Sequence, residues 1–134
     1  MDIKLLIRKA LDAQKKAYVP YSGFKVGAAL LTKSGNIYTG CNIESASYTP
    51  TICAERTAIS KAVSEGEQDV KAIAVVGNPE QFTYPCGVCR QVIREFGRDA
   101  TIIIAKSEDV YKTYKLDELL PHSFGPEDLD KEDK

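Results

Sequence analysis

Cys86 and Cys89 stand three residues apart in the run Pro85-Cys86-Gly87-Val88-Cys89, where the proline suits the opening of a helix. Residues at i and i+3 of a helix share a face. The free N–H groups and dipole of a helix N-terminus also stabilise thiolates. Cys53 precedes Ala54-Glu55-Arg56 in the first turn of a second helical pattern, so the same electrostatics apply to it. Three thiolates from two helix starts suit one zinc ion and leave its fourth position open, as in a catalytic site. A lone C-x-x-C also fits a redox pair or half a zinc ribbon. A ribbon requires a second C-x-x-C, which the chain lacks, and a redox pair requires neither Cys53 nor a nearby acid.

The fourth cysteine tests this reading. Along residues 37–44, Ile37, Thr39, Cys41 and Ile43 alternate with Tyr38, Gly40, Asn42 and Glu44. Cys41 sides with the apolar set and reads as a small buried hydrophobe. As a fourth ligand it would close the site and make the zinc structural. Arg56 lies three residues after Cys53 on the same helix face. It is placed to donate to thiolate sulfur and offset the negative charge of a three-thiolate zinc; the alternative is a solvent-facing arginine. Glu55 poses a difficulty, because positions i and i+2 do not share a helix face. Cys53 and Glu55 meet at one metal only if Cys53 sits at a frayed helix start. Otherwise Glu55 is a solvated carboxylate favoured by the dipole.

These residues require elements to hold them. Residues 3–17 carry Ile3, Leu6, Ile7, Ala10 and Ala17 at helical spacing. Residues 24–32 and 36–44 read as strands joined by the turn Lys33-Ser34-Gly35-Asn36. Residues 50–65 read as a helix opened by Pro50 and stopped by Gly66. The apolar run 70–77 suits a buried strand. A helix from 85 to about 96, a strand at 101–105, a short strand at 110–115 and a helical turn at 116–120 follow. This order predicts a mixed α/β sheet, antiparallel at its opening hairpin, with helices packed on it.

The chain has 134 residues and a formal net charge of -1. That is one domain of ordinary size, assigned to residues 1–125. The charged residues 126–134 read as a mobile tail. No basic stripe points to nucleic acid. The N-terminal stretch lacks the apolar run of a signal peptide or membrane span, so a soluble cytoplasmic protein is expected.

Cys53-Ala54-Glu55-Arg56 with Pro85-Cys86-Gly87-Val88-Cys89 resembles the signature of the zinc nucleoside and base deaminases. The runs Tyr21-Ser22-Gly23-Phe24-Lys25-Val26-Gly27, Cys41-Asn42-Ile43-Glu44 and Leu119-Leu120-Pro121 narrow the resemblance to the small homotetrameric cytidine deaminases. Cysteine at 53, where many deaminases have histidine, fits their three-cysteine branch. The resemblance implies a three-layer fold with a five-stranded mixed sheet flanked by helices. It implies one zinc per subunit on Cys53, Cys86 and Cys89, and hydrolysis of cytidine and deoxycytidine to uridine and deoxyuridine plus ammonia in pyrimidine salvage. A zinc-activated water attacks C4, and Glu55 moves its protons to N3 and to the leaving amine. Asn42 and Glu44 would bind the ribose, Phe24 would pack near the base, and the Ala54 backbone would meet the amide edge. Tyr48 and Phe124 would reach a neighbouring subunit's site. Taken alone, Asn42 and Glu44 equally suit a solvent face, and Phe24 equally suits a core.

Arg90 and Gln91 are expected to support the zinc-helix face or an interface, and His122 to lie on a surface loop. Without a phosphate loop or a basic cluster, and with Glu44 near the sugar, free nucleoside is favoured over nucleotide. Three rival readings remain: a deaminase of another amino-heterocycle, a structural-zinc module, and a redox dithiol.

Overall fold

The computed structural model describes residues 1–129. Helix α1 (Ile3–Gln14) is capped by Asp2, whose carboxylate accepts the Leu5 N–H at 3.0 Å. It stops before the expected residue 17. Lys16 and Ala17 donate to carbonyls three residues back, a tightening that ends the helix. Strands β1 (Gly27–Thr32) and β2 (Ile37–Cys41) form the opening hairpin. Gly35 in its turn has φ 99, a conformation that favours glycine.

Helix α2 (Ala54–Ser64) leads to β3 (Val70–Val76), helix α3 (Gly87–Phe96), β4 (Thr101–Ala105) and β5 (Tyr111–Lys115). A turn of helix α4 (Leu116–Leu119) and a 3-10 turn (Pro126–Leu129) follow. The sheet order is β2-β1-β3-β4-β5. Strands β3 and β4 are parallel and every other neighbouring pair is antiparallel. This is the mixed five-stranded sheet expected.

Two apolar layers hold it. On one face Leu6, Ile7 and Ala10 of α1 pack on Ala29, Ala74 and Ile103. On the other, Ala58, Ile59 and Ile93 of α2 and α3 pack on Leu30, Ile73 and Ile104. The result has three layers. Among the described residues, no helix is long and apolar enough to cross a membrane.

Four further details depart from the sequence expectation. Helix α2 begins at residue 54, not 50, because Ile43 and Ile52 exchange two backbone hydrogen bonds at 3.0 Å. Thr51 also accepts the Ser45 N–H on its hydroxyl. The approach to the helix is therefore extended. The second departure is the face of β2 that carries Tyr38 and Gly40, which lies against α2. A Cβ on Gly40 would sit 2.5 Å from the Ala54 carbonyl oxygen and 2.6 Å from the Ala58 nitrogen. Third, Cys41, expected to be buried, is half-exposed on the opposite face. Fourth, residues 126–129, assigned to the tail, form the 3-10 turn, and Glu127 pairs with the buried Arg94. The remainder of the expected tail, 130–134, lies outside the described residues.

Candidate active site

The starts of α2 and α3 meet beyond the ends of β2 and β3. Cys53 is the residue before α2, with extended backbone (φ -77, ψ 156). Cys86 holds the same position before α3 (φ -68, ψ 169), and Cys89 lies in its first turn. Neither N-cap cysteine uses its sulfur to cap its helix. The three Sγ atoms lie within 4.8 Å of one another, with Cys53 and Cys86 at 3.8 Å. Among the described residues they are the one such group of His, Cys, Asp or Glu, and Cys41 is outside it.

The extended Cys53 removes the difficulty with Glu55. A residue outside the helix is free of helical periodicity, so Cys53 and Glu55 line one cavity. Glu55 is only 4% exposed. Burial pushes its carboxyl up to about 7; its own backbone N–H opposes this, and negative charge on Cys53 adds to the rise.

The sulfurs share their charge unequally. The neighbouring Cys89 thiol pulls Cys53 down to about 5 against the cost of burial, and Arg56 and Cys86 add to the pull. Cys89 is raised far above the ordinary thiol range by the neighbouring Cys53 sulfur and by burial. Arg56 donates through Nη2 to Cys53 Sγ at 3.4 Å. Its Nε is buried and has no partner. Three soft thiolates, two helix N-termini and an arginine with a spare buried donor fit zinc well.

The cavity over this cluster has a volume of about 220 Å3. Phe24, Val26, Asn42, Glu44, Thr83 and Tyr84 line its walls beside Cys53, Ala54, Glu55 and Cys86. Asn42 spans two segments: Oδ1 accepts the Val26 N–H at 2.9 Å and Nδ2 donates to the Phe24 carbonyl at 2.8 Å. One acceptor position and one N–H stay free. Glu44 Oε1 accepts the N–H groups of Tyr21 and Ser22, at 3.0 and 3.1 Å, and Oε2 accepts the Ser22 hydroxyl. The Ser22 hydroxyl holds Glu44 below the usual carboxylate range, against a partial desolvation. Ionised, Glu44 keeps one acceptor position on Oε2.

Not every expected residue converges here. Tyr48, with φ 62, lines an adjoining hollow of about 400 Å3 with Tyr21, Ser22 and Glu44. Phe124 is exposed and does not line the chain's own cavity, and Gln91 donates to its carbonyl at 2.9 Å. Arg90 braces the metal-bearing helix, donating to the Pro85 and Leu119 carbonyls at 2.7 Å. His122 lies exposed in a turn at φ 53. A separate cavity of about 400 Å3 on the α1 side, rimmed by Lys9, Lys16 and Lys61, holds none of this chemistry. Sequence reasoning missed Ser22, whose contact with Glu44 spans 22 residues, and Tyr84, whose hydroxyl meets that of Tyr114 at 2.6 Å.

Residues 1–106 match the family model described as the cytidine and deoxycytidylate deaminase zinc-binding region. The chain belongs to this deaminase family. It is 50% identical over 131 residues to a cytidine deaminase of Sporosarcina psychrophila, covering 96% of each chain. A cytidine deaminase of Halalkalibacterium halodurans is 48% identical over 130 residues, 96% of this chain and 98% of the relative. The crystal structure of cytidine deaminase from Burkholderia pseudomallei superposes with a TM-score of 0.87 at 42% identity. That match covers 92% of this chain and all of the other.

Proposed function

We propose that this chain catalyses the zinc-dependent hydrolysis of cytidine and deoxycytidine to uridine, or deoxyuridine, and ammonia. The observation that carries the reading is a buried carboxyl, Glu55, lining one small cavity with Cys53 and Cys86 of a three-cysteine cluster. Cys53, Cys86 and Cys89 would hold the metal, and Arg56 would offset their charge. The chemistry zinc supplies when bound is to make water acidic enough to act as a nucleophile near neutral pH.

Glu55 then has a defined task. A carboxyl that burial raises above the usual carboxylate range both accepts and returns a proton. It takes the first proton of the attacking water and delivers it to N3, then takes the proton of the new C4 hydroxyl and delivers it to the departing amine. Asn42 offers its free N–H and acceptor to the sugar, and Glu44 accepts a ribose hydroxyl on Oε2. Phe24 packs beside the base, and the Ala54 backbone meets its amide edge. Ionised Glu44 also disfavours a 5′-phosphate, so free nucleosides are the substrates.

The enzyme acts as a cytoplasmic homotetramer in pyrimidine salvage, with no nucleic-acid or membrane partner. Residues 1–125, with the packed turn 126–129, form its single catalytic domain. Two exposed aromatics support shared sites: Tyr48 at 75% and Phe124 at 57% exposure have no partner in their own cavity. Ammonia release from cytidine, deoxycytidine and cytidine monophosphate, with zinc content on the same sample, tests the reading. Release from both nucleosides with about one zinc per chain is expected. Zinc without release from either refutes it.

A further inference from the structure

Arg94 is a charged residue in the interior, 3% exposed on α3. Arginine is almost never buried so fully unless it is paired. All its partners lie on one short segment some thirty residues further on. Nε donates to Ser123 Oγ at 2.7 Å. Nη2 pairs with the Glu127 carboxylate, which also takes Arg98 at 3.2 Å. Gly125 lies against the guanidinium, where a Cβ would sit 2.5 Å from Cζ. One turn earlier on the same helix, Gln91 holds the Phe124 carbonyl.

The backbone around Phe124 is thus gripped on both sides while its ring projects outward. A buried ion pair adds little net stability over an apolar substitute, and its best-attested use is to fix geometry. We infer that Arg94 is a positioning residue for Phe124, aiming the ring at the nucleobase in a neighbouring copy's cavity. This rests on the shared-site reading above. Because α3 carries Cys86 and Cys89 at its other end, one rigid helix sets both a copy's own metal site and the aromatic wall it lends.

The test is a double-mutant cycle on the full-length, zinc-loaded enzyme, with zinc content and assembly mass recorded for each variant. Phe124→Ala should raise the KM for cytidine by roughly five- to a hundredfold, the range of lost base–aromatic stacking. Arg94→Met should raise KM by about threefold or more and leave kcat within about twofold, as expected for lost uniform binding. In the Phe124→Ala background, Arg94→Met should add nothing. Gly125→Ala keeps every charge but drives a Cβ into the guanidinium, so the guanidinium and the segment cannot keep their present contact. It should show the same KM effect, and it carries the comparison if Arg94→Met does not fold. If Phe124→Ala raises KM but Arg94→Met and Gly125→Ala do not, or if their effects multiply with it, the positioning role is overturned and the shared site stands. If Phe124→Ala keeps the parent KM, the shared-site reading itself fails, and the role of Arg94 falls with it.

Discussion

The Arg56 guanidinium donates to the Cys53 sulfur from one helical turn away, at 3.4 Å, and its buried Nε meets no protein partner. Burying that donor is costly unless a charged neighbour offsets it. The thiolate cluster is that neighbour, and it holds Arg56 above the ordinary arginine range. Arg56→Ala should therefore weaken zinc retention or activity by about 10- to 100-fold, the usual cost of losing a partner of a metal ligand. Zinc titration against a competing chelator, alongside steady-state rates, measures this. Parent zinc affinity and rate together would remove Arg56 from the site.

Glu55→Gln keeps the shape and burial of the side chain but cannot carry a proton. Zinc content should stay at the parent value, and kcat should fall by roughly a hundred- to ten-thousandfold. A variant near full activity would rule out the proton-transfer role.

Gly40 brings β2 against the start of α2, and a Cβ there meets two backbone atoms under 3.0 Å. Backbone cannot swing aside as a side chain can. Gly40→Ala should cost at least about 1–3 kcal/mol, as overpacking does. It should also displace Cys53, so thermal unfolding and zinc affinity are predicted to suffer together. Lost stability with unchanged zinc affinity would separate the packing from the site.

Glu67 anchors the β1–β2 turn to the end of α2. Tyr38 and Asn36 donate to it at 2.7 and 2.8 Å, and Ser34 also donates. The Ser34 hydroxyl, followed by Tyr38, Asn36 and Thr32, lowers its carboxyl from 4.5 to about 2. The folded state then binds fewer protons than the unfolded state between these values. The stabilisation is fully present above about pH 4.5 and is lost as pH falls toward about 2. Urea unfolding of the parent and of Glu67→Gln should differ most at neutral pH and converge near pH 2. A constant difference across that range would contradict the assignment.

The sheet and the thiolate cluster were legible because each is written locally. Apolar runs marked β3 and β4, and the cysteines flag two helix starts within a few residues. The boundaries were less so where distant chain segments decide them. The extended run before Ala54 depends on Ile43 pairing with Ile52, which no helical pattern in residues 50–65 reveals. That same pairing leaves Cys53 outside the helix and lets Glu55 share its cavity. Arg94 reads in sequence as one more charge on an amphipathic helix. Only the return of residues 123–127 buries it. Cys41 was placed on the correct strand face, but an edge strand covers that face only partly, so the thiol stays half-exposed.

The separation of Cys41 from the other three cysteines makes the chain its own gauge of metal content. Coordinated thiolates react slowly with thiol-directed reagents, since the metal occupies the sulfur lone pair they attack. A chromogenic disulfide reagent added to the loaded protein would count one fast sulfhydryl. A strong chelator would unmask Cys53 and Cys86, while Cys89 stays buried, and the step between the two counts would report the loaded fraction in a single cuvette.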